Sequence, residues 1–199
     1  MKIRDSGMPD ESLWTTFFDP HDILIKLGLT SEIGSSANGA IVDFGCGYGT
    51  FTIAAAQITS GIVYGVDIEP GMLAVTQQKA EALGLSNVRT LQCDFMADGT
   101  GLRENTISYA MLFNILHTEA PLNLLREACR VLIPGGKVGV IHWNYDPTTP
   151  RGPAMDIRPR PQQCQEWMRQ AGFSLTNPLV DLPPYHYGIV GQRRQYDRP

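Results

Sequence analysis

The sequence predicts a doubly wound α/β fold, with a mostly parallel seven-stranded sheet, helices on both faces and an antiparallel last strand. Short apolar runs alternate with amphipathic helical patterns from Ala40 onward, and this alternation requires parallel strands joined by right-handed crossovers. Glycines follow the first run at every second position, Gly45, Gly47 and Gly49. Two apolar runs near the carboxyl terminus predict the closing antiparallel pair.

A helical cap segment is predicted over residues 1–38, ahead of one domain over residues 39–199. Within the segment, "DPHDILIKLGL" has Asp19 as a helix cap, Pro20 at the first helical position and Gly28 as a stop. The apolar residues between them share one helical face, and they are Ile23, Leu24 and Leu27.

Five parallel strands are predicted between Ala40 and Trp143. In order they read "AIVDF", "GIVYGVD", "NVRTLQCD", "TISYAMLF" and "KVGVIHW". Three helices separate them, "TFTIAAAQI", "PGMLAVTQQKAEALG" and "EAPLNLLREACRVL". The predicted apolar face of the third consists of Leu122, Leu125, Cys129 and Leu132.

A proline-rich loop is predicted after Trp143, because its prolines cannot occupy the interior of a helix. "QQCQEWMRQAGF" then predicts a last helix that ends near Gly172. Runs around residues 173–182 and 185–192 predict the antiparallel pair.

Composition excludes several kinds of protein. The 199 residues carry a net charge of -4 with a pI near 5.5, which argues against binding to nucleic acid. The four cysteines lie far apart, without metal-ligand spacing, so reduced thiols and no metal are expected. An acidic, polar start and the lack of a membrane-length apolar run predict a cytoplasmic protein.

The glycines mark a candidate ligand site, because ligands of open parallel sheets bind beyond the carboxyl ends of the strands. Glycines allow positive φ and bring main-chain amides close to a ligand. A P-loop is excluded, since "GYGTF" contains no lysine. The dinucleotide fingerprint fits poorly, because its third glycine would stand where the chain has Thr50.

Acidic residues stand at the ends of three successive strands, Asp43, Asp67 and Asp94. Together they suit a cationic nucleoside without phosphates: Asp43 could attract an ammonium group, Asp67 could accept ribose hydroxyls and Asp94 could reach an adenine amino group. Two alternatives stay open. Asp43 could be a helix cap or a buried, hydrogen-bonded carboxyl, and Asp94 could begin a turn.

In combination, "VDFGCGYG", "GVDIEPGML", "LQCDF", "LFNILH" and "RVLIPGGKV" make the chain resemble the class I S-adenosylmethionine-dependent methyltransferases, in particular those that act on small molecules. The resemblance covers roughly residues 40–141. It implies S-adenosyl-L-methionine as the cofactor and methyl transfer to a small-molecule acceptor.

The resemblance also implies cofactor contacts at the ends of the first four strands. They are Gly45, Cys46 and Gly47 beside the methionine part, Asp67 and Ile68 at the ribose and adenine, Asp94 and Phe95 around the adenine, and Asn114 toward the transferable methyl group.

Candidates for catalysis and acceptor binding stand in and after the last parallel strands and in the cap segment. His142 and His117 could serve as a base and Asn114 could face the methyl group, although a structural role for either histidine is equally open. Expected acceptor contacts are Trp14, Phe17, Phe18, Trp143 and Tyr145. Arginines of the proline-rich loop could receive an anionic group.

Two other functions stay open. A nicotinamide-dependent oxidoreductase shares the fold and the acid after the second strand. A non-catalytic protein could bind S-adenosylmethionine for sensing or assembly. Among partners we expect the small-molecule substrate, neither nucleic acid nor membrane, and possible homodimer formation.

Overall fold

The computed structural model describes residues 19–33 and 39–195. They form five helices, which are α1 (Pro20–Lys26), α2 (Thr50–Ile58), α3 (Pro70–Ala82), α4 (Pro121–Val131) and α5 (Pro161–Gln170). The strands are β1 (Ala40–Phe44), β2 (Val63–Asp67), β3 (Val88–Gln92), β4 (Ile107–Phe113), β5 (Leu132–Trp143), β6 (Phe173–Leu182) and β7 (His186–Arg193).

One seven-stranded sheet has the order β3-β2-β1-β4-β5-β7-β6. Strand β7 runs antiparallel to both β5 and β6, whereas β1 to β5 pair in parallel. The predicted fold class, including its antiparallel last strand, is confirmed. Because the strand order reverses between β1 and β4, a ligand crevice lies beyond the carboxyl ends of these two strands.

Helices cover both faces of the sheet, as the alternation along β4 shows. Tyr109, Met111 and Phe113 belong to a core that includes residues of α1 and α2. Ala110 and Leu112 belong to a second core, which includes residues of α4 and α5. Burying one such large apolar side chain contributes about 1.5–3 kcal/mol to the stability of the fold. Both cores therefore hold β4 in place, and with it the strand end at the crevice.

Helix α1 forms as the sequence predicted. Asp19 Oδ1 accepts hydrogen bonds from two main-chain amides of the first turn, and Gly28 follows the helix with a φ of 82°. The hydroxyl of Tyr109 donates to the main-chain oxygen of Leu27 over 2.9 Å, which ties the segment to β4. The division at residue 38 stays a prediction.

The predicted apolar face of α4 was partly wrong. Leu125 is buried as expected, but the other fully buried residues are Leu124, Ala128 and Val131. Leu122 and Cys129 are only partly buried, and Leu132 already belongs to β5. Adjacent leucines at positions 124 and 125 fit two helical faces, and periodicity alone does not choose between them.

No helix in the described part of the chain has the length and apolar character needed to cross a membrane.

Candidate functional site

The glycine turn after β1 takes the left-handed conformation at each of its glycines. The φ angles are 69° at Gly45, 53° at Gly47 and 76° at Gly49. The amides of Gly45 and Cys46 donate to the main-chain oxygen of Val66 over 2.8 and 3.1 Å, which holds the turn against β2. The turn therefore lies where the sequence placed it, at the carboxyl edge of β1 and β2.

Helix α3 holds the turn from the other side. The hydroxyl of the fully buried Thr76 donates to the main-chain oxygen of Gly47 over 3.0 Å. Lys79 Nζ donates to the main-chain oxygen of Tyr48 over 2.6 Å. The sequence missed both contacts, because no local pattern links α3 to a turn so far away in the chain.

Asp67 joins the glycine turn to the end of β2. It is 6% exposed, and its Oδ2 accepts from the amide of Gly47 over 2.9 Å. Its Oδ1 accepts from the amide of Glu69 over 3.0 Å. An ionised carboxyl group accepts about four hydrogen bonds, so each oxygen keeps capacity for a ribose hydroxyl.

The residues predicted to surround adenine follow β2 and β3. Ile68 is 38% exposed directly after Asp67, so its side chain is accessible to a ligand. The ring of Phe95 packs edge-on against Phe44, with centroids 5.5 Å apart. A Cβ atom on Gly45 would lie 4.0 Å from the Phe95 ring and 2.8 Å from Ile115 Cδ1. The ends of β1, β3 and β4 therefore meet around a bare backbone.

Asp94 takes the role of a turn residue, which the sequence left open. Its Oδ1 accepts from the amides of Met96 and Ala97, each over 3.1 Å. A contact to adenine stays a prediction for this residue.

Asp43 is a buried carboxyl group, the second alternative considered for it. It is 3% exposed, and its Oδ2 accepts from the hydroxyl of Thr52 over 2.7 Å. Burial raises the pKa of Asp43 to about 7, the Thr52 hydrogen bond opposes that rise, and the charge of Asp67 adds to it. A cationic ligand near Asp43 would favour its ionised form.

Replacing Asp43 with asparagine should stabilise the ligand-free protein above pH 7. The unfolded chain loses this proton near pH 4 and the native chain near pH 7, so wild-type stability falls across this window. An asparagine side chain does not titrate, yet its oxygen can still accept from Thr52. Asp43→Asn should therefore gain up to roughly 4 kcal/mol over the wild type at pH 8 and almost nothing at pH 4. Urea unfolding at both pH values measures this, and a gain independent of pH would contradict it.

Asn114 stands at the end of β4 in a left-handed conformation, with a φ of 55°. Its amide donates to the main-chain oxygen of Ile141 over 2.8 Å, which places it beside the end of β5. Its buried Oδ1 has no hydrogen-bond partner among the described residues. Buried polar atoms are usually paired, so this oxygen marks a place for a ligand or an ordered water.

The two candidate bases lie together. The rings of His117 and His142 meet edge to face with centroids 5.5 Å apart, and His142 is fully buried. Burial lowers the pKa of His117. Burial, and then the charges that His117 and His186 would carry, lower the pKa of His142 well below its ordinary value. Both rings are therefore neutral near pH 7, and burial weakens both as bases, His142 more than His117.

Arg158 organises the proline-rich loop, a role that the sequence did not reveal. This buried side chain donates to the main-chain oxygens of residues 144, 146, 151 and 153 and to the hydroxyl of Thr149. These bonds engage the guanidinium along its whole donor edge. Arg158 thus holds the loop together through hydrogen bonds, whereas the sequence indicated the arginines of this loop as candidate contacts for an anionic group.

The predicted acceptor contacts divide into three groups. Trp143 is buried, and its ring centroid lies 4.1 Å from that of His186. Tyr145 is 37% exposed beneath the guanidinium of Arg160 and lines an open cleft of about 390 Å³. Three residues of the cap segment, Trp14, Phe17 and Phe18, lie outside the described residues.

The described residues contain no group of three or more His, Cys, Asp or Glu side chains placed to hold a metal ion. All four cysteines are free thiols. Burial raises the pKa of Cys46, in the glycine turn, so its thiol stays protonated.

Comparison with known proteins finds relatives among methyltransferases. Residues 41–136 match a family model described as a methyltransferase domain. The demethylmenaquinone methyltransferase of Bacillus mycoides is 37% identical over 100 residues, which are 49% of this chain and 41% of that protein. The chain thus spans less than half of that relative's length.

Solved structures show the same fold. A SAM-dependent methyltransferase from Aquifex aeolicus has a TM-score of 0.80 at 23% identity, covering 92% of this chain and 94% of its own. The [4+2]-cyclase SpnF has a TM-score of 0.74 at 18% identity, covering 88% and 80%. The chain thus contains a region that matches a methyltransferase domain, and its sheet has the fold of the S-adenosylmethionine-dependent methyltransferases.

Proposed function

We propose that this protein transfers a methyl group from S-adenosyl-L-methionine to a small-molecule acceptor. One observation carries the proposal: Asp67 accepts from the amide of Gly47, so that a bare main-chain turn and a ribose-binding carboxyl group form one unit. This unit lies inside the methyltransferase domain. Relatives named as demethylmenaquinone methyltransferases support a small-molecule acceptor.

The residues at the strand ends fit the cofactor. Beside the methionine part we place Gly45, Cys46, Gly47 and Asp43, with Asp67 at the ribose. Exposed Ile68, together with Phe95 and Asp94, would hold the adenine, and the unpaired Oδ1 of Asn114 would face the methyl group.

The chain has three tasks in the reaction: to orient the acceptor, to exclude water and to take up a proton where the acceptor carries one. The bound cofactor supplies an electrophilic methyl group. Orientation of two reactants can lower a barrier by roughly 7–11 kcal/mol. His142 and His117 are neutral and lie close together, at the end of β5 and after β4, and we assign proton uptake from a hydroxyl nucleophile to this pair.

The acceptor would enter between the end of β5 and the cap segment. Tyr145 lines an open cleft, and Trp143 is buried two residues before it in the chain. Trp14, Phe17 and Phe18, outside the described residues, are proposed as further acceptor contacts. The net charge of -4 suits a protein that does not bind nucleic acid. A cytoplasmic location and a homodimer are part of the proposal.

Titration calorimetry with S-adenosylmethionine tests the proposal. We expect saturable binding, with the demethylated product binding as well and NAD and NADP not binding. Absence of heat at cofactor concentrations up to about 1 mM, the upper range of ordinary KM values, would refute it. The fold also serves a cyclase, so methyl transfer must be measured separately from binding. Binding without transfer to any of a broad metabolite panel would favour a non-catalytic protein.

A further inference from the structure

Buried polar atoms without partners gather at the junction of β4 and β5. Within the described residues, five such atoms belong to what we term the β4–β5 polar cluster. They are Asn114 Oδ1, His117 Nδ1, Thr118 Oγ1 and both ring nitrogens of His142. Leaving one buried polar group unpaired costs about 1–3 kcal/mol, so a fold seldom carries several at one place without a ligand or ordered water there.

The members of the cluster lie side by side. The ring centroids of His117 and His142 are 5.5 Å apart. The main-chain amide of Asn114 donates a hydrogen bond to the main-chain oxygen of Ile141, the residue before His142. Thr118 follows His117 directly. His142 is fully buried, and its nitrogens make no hydrogen bond of normal geometry with the described residues, although the nearby main chain of Trp143 offsets part of its pKa shift.

The cluster offers both donors and acceptors, but no charge. The oxygen of Asn114 accepts, a hydroxyl such as that of Thr118 does both, and a neutral imidazole presents one donor and one acceptor nitrogen. The charge of Arg158 influences His142, but this guanidinium is already bonded to the loop. An ammonium or carboxylate ligand would therefore lack a counter-charge here, whereas a hydroxyl group would satisfy donors and acceptors together.

The two histidines indicate how acidic the hydroxyl group of the acceptor should be. Burial weakens both imidazoles as bases, so the hydroxyl that they deprotonate must be relatively acidic. A phenol has a pKa of about 10 and can lose its proton to such a base as the new bond forms. An aliphatic alcohol is a far weaker acid. We propose, building on the methyltransferase function above, that the β4–β5 polar cluster binds an uncharged acceptor with a phenol- or enol-type hydroxyl, and that Thr118 is a hydrogen-bonding contact to it.

The reaction step balances as follows. The acceptor oxygen, or the carbon conjugated with it in an enol, forms the new bond to the methyl carbon. The bond between the methyl carbon and the cofactor's sulfur breaks, and the electron pair of that bond stays on sulfur. The hydroxyl proton passes to a ring nitrogen of His142 or His117 and from there to solvent.

Methyl transfer to a panel of small probes tests the acceptor class. We expect kcat/KM for the best of phenol, catechol, naphthol and acetylacetone to exceed that for benzyl alcohol, benzylamine and benzoate by at least about 100-fold. That ratio corresponds to roughly two hydrogen bonds or one misplaced charge. A faster reaction with benzylamine or benzoate would overturn the proposal, and so would no transfer to any hydroxylated probe while S-adenosylmethionine still binds.

Thr118→Val tests the assigned contact, because valine keeps the shape and removes the hydroxyl. Binding of catechol to the complex with S-adenosylhomocysteine should weaken about tenfold, the equivalent of one hydrogen bond. Affinity for S-adenosylmethionine should change less than about twofold. Thr106→Val is the matched control, since Thr106 stands before the opposite end of β4 and donates to the main-chain oxygen of Arg103.

The two variants together separate the possible failures. Equal catechol affinity in the wild type and in both variants would remove Thr118 from the acceptor site. Failure of the wild type to bind S-adenosylmethionine would instead refute the proposed function.

Discussion

Asp67→Ala should weaken S-adenosylmethionine binding by at least about 100-fold. Two ribose hydroxyls would lose charge-assisted hydrogen bonds worth about 1.5–3 kcal/mol each. The amides of Gly47 and Glu69 would lose their acceptor as well, so the glycine turn would also lose one of its supports. Titration calorimetry on the purified variant measures the change directly.

Asp181→Ala is the matched control, because Asp181 is an exposed carboxyl group on β6. Strand β6 forms the edge of the sheet that is remote from β2. Its cofactor affinity should equal that of the wild type. Thermal unfolding of both variants shows whether each is folded at the temperature of the titration. An Asp67→Ala protein that is folded and keeps full affinity would mean that the ribose is bound elsewhere.

Gly49→Ala should destabilise the protein by roughly 2–5 kcal/mol. A left-handed conformation costs a residue with a side chain about 1–2 kcal/mol, and Gly49 has a φ of 76°. The new Cβ would lie 2.6 Å from Thr76 Oγ1 and 2.7 Å from Thr76 Cγ2, closer than packing allows. Such overpacking costs about 1–3 kcal/mol. Urea unfolding measures the sum.

Two further variants separate these causes. Gly71→Ala, within α3, meets no atom within 4 Å and should be neutral or stabilise by about 0.5–1 kcal/mol. In a Thr76→Ala background the two closest atoms are gone, so Gly49→Ala should cost less there than in the wild type. An equal cost in both backgrounds would show that the contact with Thr76 does not matter and that the backbone conformation alone is responsible.

Local patterns predicted the bounds of helices and strands closely where capping residues, glycines or prolines mark their ends. Strand β1 and helix α2 have the predicted bounds, and Asp19 and Gly28 flank α1 as expected. Prediction failed at α4 and the start of β5, because "ACRVLIPGG" continues an apolar pattern across the boundary between helix and strand. There the pairing with β4 decides where the strand begins.

The candidate site divides in the same way. The positions of the glycine turn and of Asp67 followed from spacing, since the end of a parallel strand faces the crevice, whereas Ile68 was implied by the family resemblance. The burial of Asp43 against Thr52 and the turn formed by Asp94 were alternatives among which the sequence did not choose. The choice depends on solvent access, which the surrounding elements determine.

By itself, the sequence determined the order of the elements, the direction of the sheet and the acidic strand ends beside a glycine turn, because periodicity and punctuation are properties of neighbouring residues. Only the tertiary structure decided which side chains meet. Thr76 reaches Gly47 and Lys79 reaches Tyr48 across 29 and 31 positions of the chain, and His117 meets His142 where β4 pairs with β5. Such contacts arise from packing, which brings distant residues together and removes water from around them.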